Sequence, residues 1–83
     1  MKRLSDLERF VVREVDAREL RCPMPLLKAK QALRESAPGE AVRILATDRG
    51  SVRDFQSYAE LAGLALARNE DSGGVYEYIL LKS

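Results

Sequence analysis

The sequence has no histidine and no tryptophan, and its 83 residues include a single cysteine, Cys22. One cysteine cannot close an intramolecular disulfide. Without histidine, the chain lacks both the usual ligand set of a zinc site and the commonest general base near neutral pH. We therefore expect no disulfide scaffold, no metal site, no cofactor and no self-contained acid–base catalysis.

Long apolar runs are also missing. No segment approaches the roughly 20 apolar residues that cross a bilayer, and the N-terminus MKRLSDLERF mixes both charge signs where a signal peptide has an apolar core. The composition, 46% hydrophobic and 33% charged with a net charge of +1, is typical of one small globular domain. We expect a cytoplasmic protein with no membrane partner.

The hydrophobic pattern predicts the element order β-α-β-α-β-β. The four predicted strands cover residues 10–15, 41–47, 64–69 and 75–81, and the turn Ser72-Gly73-Gly74 joins the last two. The first helix begins at the motif Cys22-Pro23-Met24-Pro25 and ends before residues 37–40. The second helix follows Thr47 and Asp48 as N-cap residues and ends at Gly63.

This order predicts an α/β (α+β) two-layer sandwich, a four-stranded mixed sheet covered on one face by two helices. The opposite face of the sheet is expected to be partly exposed. Residues 1–9 are expected to form an N-terminal extension, either frayed or a short helix, before a domain that spans residues 10–83.

Cys22 stands where the N-cap of the first predicted helix belongs. The unpaired N–H groups and positive dipole end of a helix favour a thiolate and lower the pKa of a thiol. Pro23 and Pro25 have no N–H, so Met24 offers the nearest donor. A lone cysteine is more often a small buried hydrophobe, but this setting favours an accessible, activated thiol.

The charged residues around the motif are mainly basic. Arg18 and Arg21 precede Cys22 and Lys28 follows it, and we expect them to stabilise an anionic sulfur or to dock a partner. Leu20, Met24 and Leu27 cannot all be buried on one face, so we expect apolar surface near the sulfur. Without a second cysteine or a histidine, this thiol fits a shuttle between proteins better than a stand-alone enzyme.

The segments Val15-Asp16-Ala17-Arg18 and Leu20-Arg21-Cys22-Pro23-Met24-Pro25-Leu26-Leu27-Lys28 resemble the signature of the TusA-like (SirA/YedF-like) sulfur-carrier family. Further similarities occur at Gly39-Glu40, Thr47-Asp48 and Asp54, and the resemblance spans about residues 10–82. It implies the same two-layer sandwich. It also implies that Cys22 of the Cys-Pro-x-Pro motif accepts sulfur as a persulfide, with Pro23, Met24 and Pro25 as the helix start.

The resemblance further implies protein partners: a cysteine desulfurase or a rhodanese as sulfur donor, and a downstream acceptor protein. The acceptor would serve tRNA thiolation, molybdenum-cofactor maturation or other sulfur metabolism, and the protein would be a sulfurtransferase-like relay carrier. The alternative is an RNA-binding or regulatory protein-binding module in which Cys22 is not reactive. Because the basic segment has no interleaved aromatic residues, we expect no direct nucleic-acid binding.

Three positions depart from the pattern of the family. Glu19 stands where glycine is usual, Arg49 where proline often follows Thr-Asp, and Leu64 where histidine is frequent. We expect Glu19 to reshape the loop before Cys22 and to make it more acidic, and each of the three departures to influence the choice of partner.

Overall fold

A computed structural model describes residues 2–71 and 73–83, so Ser72 of the predicted turn lies outside the described residues. A 3₁₀ turn (Glu8–Phe10) separates the first helix from the first strand. The helices and strands follow in chain order as α1 (Leu4–Leu7), β1 (Val11–Ala17), α2 (Met24–Arg34), β2 (Ala41–Ala46), α3 (Gly50–Ala62), β3 (Ala65–Glu70) and β4 (Tyr76–Leu81). From β1 onward, this is the predicted order β-α-β-α-β-β.

The four strands form one mixed sheet in the order β1-β2-β4-β3. β1 and β2 run parallel, because α2 carries the chain back between them, and β4 is antiparallel to both of its neighbours. The predicted α+β architecture is confirmed. The carboxyl ends of β1 and β2 therefore lie at the same edge of the sheet, and the loops that follow both strands meet there.

The main core lies between the sheet and the two longer helices. Ala29 and Leu33 of α2 and Phe55 of α3 pack on the inner sheet face. The ring of Phe55 stacks on that of Tyr78, with centroids 4.2 Å apart and planes 8° from parallel. The Tyr78 hydroxyl lies 2.7 Å from the buried hydroxyl of Ser51. These contacts fix the first turns of α3 above the centre of the sheet.

The N-terminal segment covers part of the opposite sheet face. Leu7 of α1 is only 3% exposed and packs with Ala41, Ala67 and Ile79 in a second apolar cluster. The Lys2 N–H donates to the Leu66 carbonyl at 3.0 Å, so residue 2 lies alongside the edge strand β3. The segment predicted as an extension forms the short helix, one of the two predicted alternatives. It covers part of the sheet face that was expected to be partly exposed.

The helix ends have identifiable caps. Gly63 adopts a left-handed conformation (φ 69°) directly after α3, at the position where the sequence predicts the end of that helix. At the carboxyl end of α2, the Lys82 ammonium donates to the carbonyls of Leu33 (2.8 Å) and Ser36 (2.7 Å). Within the described part of the chain, no helix is long and apolar enough to cross a membrane.

Candidate functional site: a thiol between two helices

A short loop leads from β1 to α2 and carries Cys22. Glu19 in this loop has a left-handed backbone (φ 71°), and its N–H donates to the Thr47 side-chain oxygen at 2.9 Å. Arg18 pairs with Asp16, Nε to Oδ1 at 2.9 Å, and these hydrogen bonds lower the pKa of Asp16 to about 2. The loop is therefore tied both to the end of β1 and to the end of β2.

The Cys-Pro-Met-Pro motif forms the start of α2, with Pro23 at the N-cap and Pro25 buried in the first turn. The predicted N-cap role of Cys22 is wrong, because the cysteine lies one residue before the cap. The Met24 N–H donates to the Arg21 carbonyl at 2.8 Å, so it is not directed at the sulfur. The Cys22–Pro23 peptide bond is cis.

The Cys22 side chain is exposed and turns toward α3. Its thiol donates a hydrogen bond to the Asp54 carboxylate, which lies one helical turn beyond Gly50. A side chain at residue 50 would place its Cβ 3.0 Å from Cys22 Cβ and 3.3 Å from the sulfur. Glycine at position 50 therefore allows the loop before α2 to approach the first turn of α3 closely.

Asp48 caps the same end of α3. Its carboxylate accepts the Gly50 N–H at 2.9 Å, although the N-cap position itself is Arg49. Asp48 therefore caps α3 as predicted, but from the residue before the N-cap. Thr47 does not cap the helix; its side-chain oxygen accepts the Glu19 N–H. Asp48 and Asp54 bring two carboxylates to the neighbourhood of Cys22.

These carboxylates raise the pKa of the Cys22 thiol above its ordinary value. The hydrogen bond to Asp54 is the largest cause, followed by desolvation and by the negative charges of Asp54 and Asp48, while Arg53 acts in the opposite direction. The predicted lowering of this pKa is wrong. The neighbours of Cys22 along the chain are mainly basic, but the sulfur faces Asp48, just before α3, and Asp54 within α3.

The basic residues singled out from the sequence lie in different places. Arg18 is paired with Asp16, Arg21 is exposed, and Lys28 lines a separate depression beside Gln31 and Glu35. The structure does not bring the three together around the sulfur.

The cations near Cys22 are instead Arg49 and Arg53. Together with Cys22, Gly50 and Asp54 they line an open depression of about 730 Å³ along α3. Sequence reasoning missed Arg53 and gave Asp54 no chemical role. One sequence signal could have placed Asp54 near Cys22. Residues 50 and 54 share one face of the predicted second helix, and that helix begins at the same edge of the sheet as the Cys22 loop.

Apolar side chains are exposed on α2, the helix that follows the Cys22 loop. Met24 is 42% and Leu27 47% exposed, and their spacing of three residues places them on one side of α2. Leu20 is partly buried against the core. The surface next to Cys22 thus combines a polar depression on α3 with an apolar strip on α2.

A family sequence model described as Sulfurtransferase TusA matches residues 13–82. The chain belongs to the TusA family of sulfur carrier proteins. It is 39% identical over 70 residues to the sulfur carrier protein TusA of Allochromatium vinosum, a match that covers 84% of this chain and 92% of that relative.

Two further comparisons agree with the assignment to the TusA family. A putative sulfur carrier protein of Halobacterium salinarum is 35% identical over 74 residues, 88% of this chain and 91% of that protein. The crystal structure of a SirA-like protein from Desulfitobacterium hafniense superimposes with a TM-score of 0.77 at 30% identity, covering 84% of this chain and 96% of that one. The family match begins at residue 13, so α1 lies outside it.

Proposed function

We propose that the protein carries sulfane sulfur as a persulfide on Cys22, taking it from a cysteine desulfurase or a rhodanese and passing it to an acceptor protein. The observation that carries this proposal is the exposure of its single cysteine beside an open depression. Membership of a family of sulfur carriers indicates that the group carried is sulfur. The acceptor would serve tRNA thiolation, molybdenum-cofactor maturation or another branch of sulfur metabolism.

The loading step is a transfer between thiols. The Cys22 sulfur, as its thiolate, attacks the terminal sulfur of the donor persulfide, and a new bond forms between Cys22 Sγ and that terminal sulfur. The sulfur–sulfur bond of the donor breaks, and its electron pair leaves with the donor cysteine as a thiolate. The step needs no external oxidant or reductant, and discharge to an acceptor is the same step with the roles exchanged.

The residues around Cys22 would position the thiol and receive the partner. Pro23 and Pro25 hold the start of α2 in place, with Pro25 buried, and exposed Met24 offers apolar contact. Arg21 and Lys28 are exposed cations on the approach to α2 and would guide an acidic partner surface. Arg18 would act indirectly, by fixing the loop through Asp16.

The proposal is tested by incubating the protein with a cysteine desulfurase and radiolabelled cysteine, or with a rhodanese and labelled thiosulfate. At least one donor should transfer label to the wild type, and a reductant should release it. Cys22→Ser removes the acceptor atom and should abolish transfer from both donors. Equal labelling of Cys22→Ser and the wild type would show that the sulfur is held elsewhere.

The docking role of the cations is tested separately with the active donor. Arg21→Glu and Lys28→Glu should raise the KM for the carrier with little change in kcat, because they act on encounter with the donor. Arg68→Glu makes the same charge change at an exposed position on β3 and serves as the control. If all three variants behave alike, the effect reflects net charge and not a docking surface.

A further inference from the structure

The charged groups near the Cys22 sulfur interact differently with its empty form, a thiol, and its loaded form, a persulfide. In the empty protein a neutral thiol donates a hydrogen bond to the Asp54 carboxylate, and a bond to a charged acceptor is stronger than one between neutral groups. The negative charge of Asp48 also acts on the thiol, and the positive charge of Arg53 opposes both carboxylates. Arg49 lines the same depression.

A loaded sulfur has the opposite relation to Asp54. The terminal S–H of a persulfide ionises more readily than a thiol, so the loaded group is an anion with no proton to donate. A carboxylate in contact with it disfavours that anion through like-charge repulsion. The same side chain thus stabilises the carrier before loading and destabilises it afterwards.

We propose that Asp54 sets how tightly Cys22 holds its cargo, by stabilising the empty thiol and repelling the loaded anion so that sulfur is given up readily. This inference rests on the proposed function of Cys22 as a sulfur carrier. Asp54 contacts the reacting sulfur directly. The depression along α3 that Cys22 and Arg53 line is open, so an acceptor can reach the added sulfur atom there.

The exchange that Asp54 biases is balanced in atoms and charge. An anionic donor persulfide gives its terminal sulfur to Cys22, the proton of the Cys22 thiol passes to the departing donor sulfur, and the products are a donor thiol and an anionic Cys22 persulfide. The equilibrium of this exchange shifts toward the empty carrier because Asp54 favours the reactant and disfavours the product.

The first experiment measures the ionisation of Cys22 in the empty protein. The rate of Cys22 alkylation by iodoacetamide is followed across a range of pH. Only the thiolate reacts, so the midpoint of the rate–pH profile is the pKa of the Cys22 thiol. The wild-type midpoint should lie above the usual cysteine value of about 8.5, a result that needs no variant. Asp54→Asn should raise the rate at neutral pH by about tenfold, the effect of losing one charge-assisted hydrogen bond.

Two matched variants separate the role of Asp54 from general charge. Asp54→Glu keeps a carboxylate and should retain most of the wild-type profile. Glu14→Gln removes one negative charge from an exposed position on β1 and should leave the profile unchanged. A profile for Asp54→Asn that coincides with that of the wild type overturns the inference.

The second experiment measures the cargo equilibrium with glutathione persulfide as the sulfur donor. The constant for transfer to Cys22 should rise by about tenfold in Asp54→Asn; Cys22→Ser gives the blank. If neither wild-type Cys22 nor the Asp54→Asn protein takes up sulfur, the proposed function fails and this inference with it. If Cys22 is loaded but Asp54→Asn does not shift the equilibrium, this inference alone fails.

Discussion

The Glu19 N–H donates to the side-chain oxygen of Thr47 at 2.9 Å while the Glu19 backbone is left-handed, with φ at 71°. The left-handed conformation costs a residue with a Cβ roughly 1–2 kcal/mol, whereas it costs glycine almost nothing. The loop before Cys22 therefore keeps a conformation suited to glycine although its residue is glutamate. The hydrogen bond to the end of β2 holds it there.

Replacing Glu19 with glycine should stabilise the protein. Glu19→Gly relieves the backbone strain but gives the unfolded chain more freedom, so we expect a net gain of about 1 kcal/mol in the free energy of unfolding. Urea denaturation measures it. Glu19→Ala removes the same charge and keeps a Cβ, so it should give no such gain; an equal gain from both variants would assign the effect to charge.

The close approach of Gly50 to Cys22 predicts a steric effect. The Cβ of Gly50→Ala would lie 2.9 Å from the Asp48 carboxylate and 3.0 Å from Cys22 Cβ, so the Asp48 side chain must shift and the Cys22 loop must give by a few tenths of an ångström. We expect a loss of about 1–2 kcal/mol in the free energy of unfolding, despite the better helix propensity of alanine, together with a changed alkylation rate of Cys22.

The control for Gly50→Ala is Gly73→Ala. A Cβ at residue 73 would lie 3.4 Å from the Asp71 side chain, which is ordinary van der Waals contact. Its unfolding free energy and Cys22 alkylation rate should stay near the wild-type values. A Gly50→Ala protein with unchanged stability and alkylation would show that the contact with Cys22 is not restrictive.

The N-terminal helix should contribute measurably to stability. Leu7 is 3% exposed and packs against Ala67 and Ile79, so Leu7→Ala should lower the free energy of unfolding by about 2–3 kcal/mol. Leu61 on α3 is 89% exposed, and Leu61→Ala is the matched control with an expected change of at most about 0.5 kcal/mol. Equal effects in urea denaturation would mean that α1 is not packed in solution.

The carboxyl end of α2 depends on a residue from the end of the sheet. Lys82→Met removes the ammonium that bonds the Leu33 and Ser36 carbonyls, and we expect a loss of about 2 kcal/mol because these are charge-assisted bonds. Lys28→Met is the control, since Lys28 is exposed on the same helix. Thermal unfolding should show a lower Tm for Lys82→Met alone.

The fold follows from the sequence because its signals are local. Alternating apolar residues from Val42 to Ala46 predict a strand, and Gly63 marks the end of α3. The packing of α1 was not predictable in this way. It depends on Leu7 meeting Ala67 and Ile79, which are distant in sequence, and a helix of four residues carries almost no periodicity.

The candidate site was predictable only in part. The thiol and its motif are visible in the sequence, but the hydrogen-bond partner of Cys22 lies 32 residues away on another helix. The neighbours of Cys22 along the chain are mainly basic, whereas the folded chain brings Asp48, Asp54 and Arg53 close to the sulfur. Tertiary contact, not chain neighbourhood, sets the chemistry of this sulfur.

The location of the added sulfur in the loaded protein tests most directly whether Cys22 carries it. The protein is loaded with a cysteine desulfurase and cysteine, desalted, and cleaved after Arg21 and Lys28 for mass spectrometry. We predict one added sulfur atom on the peptide Cys22–Lys28, which a reductant removes, and none on the Cys22→Ser protein. Added sulfur on any other peptide, or none on wild-type Cys22, would contradict it.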